Sequence, residues 1–299
     1  MNKRTKKINN KIDIQNVNYG SINYPKRLSL LSDAPKTIYY KGTLPRDDYP
    51  TVGIVGSRTA SEYGIKLAKS IAMTLSKKNI QVISGMALGI DSAAHIGAIE
   101  VNKANYAILG CGVNICYPAY NYNIYEKIID LKGGIISEYP NDTPPLYYNF
   151  PIRNRIIAGF SDVLIIVEAR HNSGSLITAE YMLKQGKDIF AIPGRIGDAI
   201  SCGTNDLIKQ GAYIFTCVED VLDYLGVKNN KKIPIEDIKK KDLDYFEKIV
   251  YSKLTNNSSH IDEIMELCKL PIEICLQTLM SLQIEGLVEQ PMNGYYRKI

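Results

Sequence analysis

The stretch TVGIVGSRTASEYGIKLAKSIAMTLSKKNIQVISG, residues 51–85, carries the pattern that decides the fold. It opens on a short run rich in β-branched residues, turns at a glycine into an amphipathic segment at 61–78, and closes on a second apolar run. Short runs that are apolar on both faces are typical of strands in a parallel sheet covered by helices on both sides. The stretch therefore predicts a strand–helix–strand unit.

The same alternation extends over residues 51–226. The short runs are TVGIVG, IQVISG, YAILG, GIISEY, DVLIIVEA, DIFAIPG and AYIFT, and helical patterns separate them at 61–78, 91–102, 120–132, 153–160, 176–185 and 218–225. This order of elements predicts an α/β fold with a doubly wound, mainly parallel, Rossmann-like sheet. In such folds, ligands bind at the carboxyl ends of the strands.

The flanking segments differ in character. Residues 1–50 are interpreted as a small N-terminal appendage with one strand at 37–40. Residues 227–241, VKNNKKIPIEDIKKK, are rich in lysine and predict a linker. Residues 242–299 predict a small C-terminal winged-helix domain, with amphipathic helices at 244–254, 261–268 and 272–284 followed by a strand–turn–strand sequence.

Charge is unevenly distributed along the 299 residues. The net charge is +5, but residues 1–241 carry 31 basic and 22 acidic residues, whereas 242–299 carry five basic and nine acidic ones. A basic body can attract a polyanion, and an acidic tail is poorly suited to the same role.

Composition argues against several classes of protein. The chain has no window of about 18 apolar residues, and polar residues follow its basic N-terminus. Neither a membrane span nor a secretory signal is therefore expected, and the sequence predicts a cytoplasmic location. The six cysteines form no C-x-x-C pair and the three histidines stand far apart. Reduced thiols are expected, with no disulfide frame, metal site or cofactor.

The first motif with chemical content is VGIVGSR, residues 52–58, where a strand passes through a turn into a helix. Backbone N–H groups at a helix start can bind an anion. Ser57 can donate a hydrogen bond, and Arg58 can contact a phosphate through two donors. The alternative is a tight turn with an incidental surface arginine.

A second turn of this kind lies in ISGMALGIDSAAH, residues 83–95. Gly85 and Gly89 would let the backbone approach a ligand closely. Asp91 and Ser92 stand where helix caps belong, and His95 is expected to pack inside the helix layer.

The third motif is NFPIRNRIIAGFS, residues 149–161, in which Arg153 and Arg155 flank Asn154 at a predicted helix start. The arginines can bind phosphates, and Phe150 can offer a ring face to a base, a combination that favours single-stranded nucleic acid. The alternative for one arginine is a structural ion pair with Glu168 or Glu138.

Further strand-to-helix turns lie in NSGSLITAEYMLKQGK, FAIPG and GTNDLIKQGA, at 172–187, 190–194 and 203–212. The chain lacks a G-x-x-x-x-G-K-[ST] P-loop, a complete G-x-G-x-x-G, a G-x-S-x-G and an H-E-x-x-H. Phosphate-binding turns without a catalytic constellation indicate a binding protein rather than an enzyme.

Taken together, these strings resemble the DprA/Smf family. The matching elements are, in order, VGIVGSR, SGMALGIDSAAH, ILGCGVNICYP, SEYP, FPIRNRIIAGFSDVLIIVEA, SGSLITAEYMLKQGK, FAIPG and GTNDLIKQGA, and they cover about residues 25–225. The combination of FPIRNRIIAG with SGSLITA is highly specific. The tail resembles the small winged helix often found at the end of these proteins.

The resemblance implies a non-enzymatic homodimer that binds single-stranded DNA in a basic pocket. It also implies protection of incoming DNA and loading of a RecA-type recombinase onto it in natural transformation. Eight positions are carried over: Ser57, Arg58, Phe150, Arg153 and Arg155 as DNA-contacting residues, with Gly56, Gly85 and Asn154 shaping the pocket. The chain departs from the family at Leu88, where an arginine is usual, and in lacking room for the small helical N-terminal domain of several relatives.

Two other hypotheses fit parts of the sequence. Nucleotide-processing phosphoribohydrolases of the LOG type share a related fold and resemble one another through PGG-x-GT-x-x-E, but here an insertion separates Pro193-Gly194 from Gly203-Thr204. A winged-helix transcription regulator would need a basic recognition helix, whereas residues 271–284 contain Glu273 and no lysine or arginine. A protein-contact or accessory role therefore suits the tail better.

Overall fold

A computed structural model describes residues 5–7, 13–227, 243–284 and 286–299. The chain falls into two compact units, Met1–Lys228 and Asn229–Ile299. The linker predicted at 227–241 lies outside the described residues, apart from Val227.

The first unit is built on one large sheet. The strands of this unit are β1 (Lys6–Lys7), β2 (Gln15–Asn18), β3 (Thr37–Gly42), β4 (Thr51–Val55), β5 (Gln81–Ser84), β6 (Asn105–Ile108), β7 (Ile115–Cys116), β8 (Gly134–Ser137), β9 (Val163–Ile166), β10 (Ile189–Ala191) and β11 (Tyr213–Ile214). Of these, β1 and β7 pair with each other outside the large sheet. Within the described residues, nine strands form the sheet in the order β11-β10-β9-β4-β5-β6-β8-β3-β2. The seven strands from β11 to β8 are parallel, and β3 and β2 continue the β8 edge antiparallel.

Helices lie on both faces of this sheet. They are α1 (Lys26–Ser29), α2 (Glu62–Lys77), α3 (Ile90–Glu100), α4 (Tyr122–Asp130), α5 (Asn149–Phe160), α6 (Gly174–Lys184), α7 (Cys202–Lys209) and α8 (Val218–Tyr224), with a 3-10 turn at Ala119–Asn121. In β9, Leu164 and Ile166 pack against the side of α5 and α6, while Val163 and Ile165 pack against that of α2 and α3. Strand side chains alternate between the two faces of the sheet, so an apolar run of this kind is covered by helices on both faces.

The predicted fold class is confirmed, since the seven predicted strands correspond to β4, β5, β6, β8, β9, β10 and β11. Residues 1–50 contribute more than one strand, because β2 pairs with β3 and both extend the main sheet. Helix α7 was not among the predicted helices.

Helix α5 begins at Asn149, four residues before the predicted start at 153. Pro151 therefore lies in the first turn of the helix. A proline fits there because the N–H groups of the first turn have no acceptor within the helix.

The second unit is a winged helix. It consists of α9 (Tyr245–Lys253), β12 (Ser259–His260), α10 (Ile261–Cys268), α11 (Ile272–Ile284), β13 (Val288–Met292) and β14 (Tyr295–Lys298), and its sheet has the order β12-β14-β13. Asp244 and Glu247 form a capping box at the start of α9. Val250, Leu279 and Leu282 are fully buried in its core.

Candidate nucleic-acid interface

The turns at the carboxyl ends of the parallel strands surround a cavity of about 580 Å³, called here the strand-end pocket. Gly56, Ser57 and Arg58 follow β4, while Ala87 and Asp91 follow β5. The remaining walls come from the turn after β9, the start of α6, one face of α5, and the tyrosines Tyr117 and Tyr147. The location agrees with the rule that ligands of such sheets bind beyond the strand ends.

Phe150 stands in the pocket between two cations. Its ring centroid lies 5.7 Å from the guanidinium carbon of Arg58 and 6.0 Å from that of Arg153. The ring also stacks at a tilt against Tyr117, with 5.4 Å between centroids. A Cβ on Gly110 would lie 2.9 Å from the Phe150 ring, so the absence of a side chain at this glycine makes room for the ring. An aromatic face beside cations is suited to an unpaired base and its phosphate.

Arg58 is the accessible arginine of this group. Its side chain is exposed, and no ion pair or hydrogen bond links its guanidinium to the described residues. Its donors are thus available to a phosphate.

Arg153, in contrast, is buried in the pocket floor. Its Nη1 donates to the carbonyl oxygens of Gly85 and Ile108, and its Nε donates to Asn154 Oδ1 at 3.2 Å. Burial lowers the pKa of Arg153 to about 10, while the charge of nearby Asp91 opposes the shift, so the side chain remains charged at neutral pH. Arg153 therefore contributes positive electrostatic potential to the pocket, and its Nε and Nη1 donors are engaged within the protein.

Asp91 balances that charge from the first turn of α3. Its Oδ2 accepts the N–H groups of Gly85 and Ala87 at 3.1 and 3.4 Å. Burial raises the pKa of Asp91, and the charge of Arg153 opposes the rise. The expectation that Asp91 caps α3 is wrong, because Gly89 is the N-cap residue and no side chain caps it.

Gly56, Gly85 and the side chains of Asn154 and Ser92 shape the region around Arg153 and Asp91. A Cβ on Gly85 would lie 2.7 Å from both Arg153 Nη2 and Asp91 Oδ2, and one on Gly56 would lie 2.7 Å from Ile90. The Asn154 amide donates to the carbonyl of Gly174 at 3.0 Å, which fastens α5 to the start of α6. Ser92 donates to the carbonyl of Ala87.

Ser57 connects the first two turns. It is nearly buried; its N–H donates to the Glu168 carbonyl, and its own carbonyl accepts the N–H of Ile90. Its hydroxyl oxygen accepts the Thr59 N–H at 3.2 Å. These bonds tie the turn after β4 to the turns after β5 and β9.

Arg155 lies away from the pocket. It is buried in an ion pair with Glu138, at 2.5 Å between Nη2 and Oε2, and its Nε lies 3.1 Å from Asp33 Oδ2. Residues two apart on a helix point about 200° apart, so Arg153 and Arg155 cannot share one face. The structure thus gives Arg155 the ion pair with Glu138 that the sequence left open.

The helix N-termini at the pocket are not equivalent. Glu168 accepts the N–H and hydroxyl of Ser61 at the start of α2, and the missing side chain of Gly64 leaves room for this carboxylate. Asp91 places a second carboxylate in the first turn of α3. At α6, the first turn has no acidic residue, and Asn172 and Gly174 are exposed. The starts of α6 and of α5, whose first turn also has no acidic residue, are therefore the ones suited to an anion.

Three pocket residues were missed by the sequence analysis: Arg170, Tyr117 and Tyr147. Arg170 is an exposed cation that comes shortly after β9, and the strand-end rule could have found it. The tyrosines reach the pocket from loops whose path the sequence does not fix.

Two other expectations concern residues beside the pocket. Leu88, where the family usually has arginine, is an exposed side chain next to the pocket residue Ala87. His95 is fully buried as expected, and its Nδ1 lies 2.8 Å from Asn105 Oδ1.

Residues 5–7, 13–227, 243–284 and 286–299 contain no group of three or more potential metal ligands. In the same part of the chain, no helix is long and apolar enough to span a membrane.

Both units of the chain match known protein families. Residues 15–226 match the family of DNA recombination-mediator protein A, and residues 239–291 match the DprA winged helix domain. The chain is similar to protein Smf of Escherichia coli, with 34% identity over 92% of this chain and 75% of the relative. It is 41% identical to DNA processing protein DprA of Streptococcus pneumoniae over 67% of this chain and 70% of the relative.

Solved structures extend the comparison. The structure of DprA from Streptococcus pneumoniae matches with a TM-score of 0.66 and 38% identity, over 71% of this chain and 74% of that one. DprA from Helicobacter pylori, solved to describe its single-stranded DNA binding mode, matches with a TM-score of 0.65 and 30% identity, over 72% and 96%. This chain belongs to the DprA/Smf family of DNA-processing proteins.

Proposed function

We propose that this protein binds single-stranded DNA in the strand-end pocket. The observation that carries the proposal is the position of Phe150, with guanidinium carbons of Arg58 and Arg153 at 5.7 and 6.0 Å from its ring. An unpaired base can stack on such a ring while its phosphate meets the cations. The single-stranded DNA binding of the Helicobacter pylori relative supports the same ligand.

The phosphates would lie between Arg58 and the start of α6. Arg58 and Arg170 are exposed cations on the pocket wall, and Ser173, Gly174 and Ser175 form the acid-free first turn of α6. These groups contact the backbone of any sequence, so binding would be sequence-tolerant and salt-sensitive.

Single strands would be preferred over duplex. Phe150 is partly buried inside a cavity rather than displayed on a flat surface. The bases of a duplex remain stacked and paired, so they cannot reach the ring without an unstacking cost.

The residues carried over from the family divide into roles. Ser57, Arg58 and Phe150 would contact DNA, and Gly56, Gly85 and Asn154 would shape the pocket. Arg153 would act through its charge from the floor, and Arg155 would hold α5 in place through Glu138.

We also propose that the pocket binds without catalysing a reaction. Its carboxylate, Asp91, accepts two backbone N–H groups and faces Arg153, which supports a structural role. The alternative is a LOG-type phosphoribohydrolase. Release of free base from nucleoside monophosphates by the purified protein would establish that alternative.

In the cell, we propose that the protein protects incoming single strands in the cytoplasm and loads a RecA-type recombinase onto them in natural transformation. Its membership of the DNA-processing family supports this proposal. It predicts that the recombinase forms filaments faster on single strands that carry this protein. An unchanged rate would contradict the loading role.

A homodimer through the β11 edge accompanies this proposal. Tyr213 and Ile214 in β11 are each about half exposed, and the rings of Phe190, Tyr213 and Tyr224 cluster with centroids 5.1 to 5.8 Å apart. An edge strand with exposed apolar side chains favours pairing with a second copy. Sedimentation should give a dimer that Ile214→Arg converts to a monomer; a monomeric wild type would contradict this.

The decisive test of DNA binding is the fluorescence anisotropy of a labelled oligo-dT at two salt concentrations, with unlabelled duplex as competitor. Arg58→Ala should lower affinity about tenfold or more and weaken the salt dependence. Arg46→Ala is the matched control, because Arg46 is an exposed arginine beside Gln81, at the amino end of β5. Equal affinity of wild type and Arg58→Ala would contradict the proposal.

A further inference from the structure

The helix α11 of the winged helix is apolar on two sides. Cys275, Leu279 and Leu282 are fully buried in the core of the unit. On the outer side, Ile272, Leu276 and Met280 are 42%, 38% and 64% exposed. Residues spaced by four lie on one helix face, so these three form a continuous strip, called here the α11 ridge.

The ridge is not required by the core of its own unit. The buried cluster of this unit consists of other side chains, including Val250, Ile264 and Tyr296. A contiguous exposed apolar strip bordered by polar residues is typical of a surface that contacts another molecule.

Acidic residues are frequent on α10, the helix that precedes α11, and one lies in the first turn of α11. Asp262, Glu263 and Glu266 on α10 and Glu273 on α11 are all exposed. Neither helix contains a lysine or arginine, and Lys269 in the turn between them is the one cation from residue 261 to 284. A helix that reads a DNA groove carries the opposite charge, because it must approach phosphates.

We propose that the α11 ridge docks a basic amphipathic helix of another protein. The apolar face of that helix would cover Ile272, Leu276 and Met280, and its lysine or arginine side chains would face Glu263, Glu266 and Glu273. Recognition would thus join the apolar faces of two helices, with charge complementarity setting orientation and partner choice.

A second copy of this chain fits the surface less well. A symmetric contact brings the same patch of both copies together, so the carboxylates would face one another. Like charges across an interface oppose association. The proposal is independent of DNA binding in the strand-end pocket, since it concerns the other unit of the chain.

The test uses the full chain and two labelled synthetic peptides of about 18 residues, or five helical turns. One carries leucine and lysine at helical spacing, and the other carries glutamate in place of every lysine. The lysine peptide should raise its fluorescence anisotropy on binding, with an affinity that falls as salt increases, and the glutamate peptide should not bind.

Variants then locate the contact. Leu276→Gln combined with Met280→Gln should weaken peptide binding about tenfold or more, and Glu263→Lys with Glu273→Lys should weaken it and remove the salt dependence. Met292→Gln is the matched control, because Met292 is an exposed methionine of β13 in the same unit. Since each replaced side chain is exposed, the variants should remain folded, which circular dichroism would check.

Four outcomes would overturn the proposal. Equal binding of both peptides, or of the lysine peptide to all variants, would remove the ridge as its site. A loss of duplex DNA affinity in Leu276→Gln/Met280→Gln, without an effect on the peptide, would make the ridge a DNA surface. A change in the sedimenting species with the same substitutions would make its occupant a second copy of the chain.

Discussion

The guanidinium carbon of Arg58 lies 5.7 Å from the centroid of the Phe150 ring. The two residues belong to turns nearly a hundred positions apart in sequence, at the ends of β4 and at the start of α5. The Phe150 ring packs against the backbone at Gly110 and against the ring of Tyr117. Arg58, in contrast, is exposed and makes no ion pair among the described residues. A fixed ring beside a free cation is the feature of this pocket on which the predictions about DNA rest.

Removing the ring should weaken DNA binding. Phe150→Ala should lower affinity for oligo-dT by a factor of about 5 to 150, corresponding to about 1–3 kcal/mol per stacked base. Phe150→Tyr, which keeps the ring, is the control and should retain most of the affinity. Anisotropy titrations would measure both. Equal affinities of wild type and Phe150→Ala would place the bases elsewhere.

Arg170 should contribute a phosphate contact at the α6 end of the pocket. Arg170→Ala should weaken binding about equally for all oligonucleotide sequences and reduce the slope of log K against log salt by about 0.7, the value for one single-strand phosphate. Arg195→Ala is the control, because Arg195 is exposed but does not line the pocket. An unchanged slope in Arg170→Ala would show that no phosphate binds at this residue.

Gly85 should be sensitive to a single added methyl group. In Gly85→Ala, the Cβ would lie 2.7 Å from Arg153 Nη2 and Asp91 Oδ2, so both charged groups would have to move within a buried site. We expect a loss of about 1–3 kcal/mol in the free energy of unfolding, together with weaker DNA binding. Gly174→Ala, whose Cβ would meet nothing within 4 Å, should leave stability nearly unchanged. Denaturant titrations would compare them.

Arg155 should matter for stability and not for DNA contact. Arg155→Ala removes the partner of the Glu138 carboxylate, whose side chain is only 14% exposed, at a cost of up to about 3–5 kcal/mol. The double change Arg155→Met with Glu138→Leu removes both charges and should restore most of that loss. If the double variant is stable but binds oligo-dT more than about tenfold less tightly than wild type, Arg155 contacts DNA after all.

The buried His95 predicts a pH dependence. Burial lowers the pKa of His95 to about 4, against an ordinary value of 6.5. Between those values the unfolded chain binds the proton and the folded chain does not, so stability falls as pH drops from 6.5 toward 4, by up to about 3 kcal/mol. Unfolding free energies over this range should fall less steeply for His95→Gln than for wild type. Parallel pH profiles would contradict the assignment.

Much of the fold could be predicted because it depends on repeated local patterns. The seven parallel strands are short apolar runs, and the helices between them are amphipathic or bounded by turn residues, so their order fixes a doubly wound sheet. The strand predicted at 37–40 corresponds to β3, but β2 and the antiparallel edge that β2 and β3 add to the sheet were not predicted. The residues of this edge alternate weakly, and their place in the sheet depends on pairing with β8, nearly a hundred residues away.

Part of the site followed from the same logic. Ser57, Arg58 and Phe150 were expected at strand ends or helix starts, and the structure brings them into one pocket. The sequence treated Arg153 and Arg155 as a pair because they flank Asn154 in one motif. In α5 they are two positions apart and therefore point to opposite sides of the helix.

By itself, the sequence determined the α/β class, the order of the parallel strands' turns and the residues those turns present, because each depends on periodicity within a few residues. Tertiary structure alone decided which of these groups have no hydrogen-bond or ion-pair partner within the part of the protein that the structure describes. Arg153 is bonded to the carbonyl of Ile108, 45 positions away, and Glu168 to Ser61, 107 positions away, while the first turn of α6 has no acidic residue. Such pairings depend on how distant elements pack, and the local pattern of apolar and polar residues does not encode the direction of a single side chain.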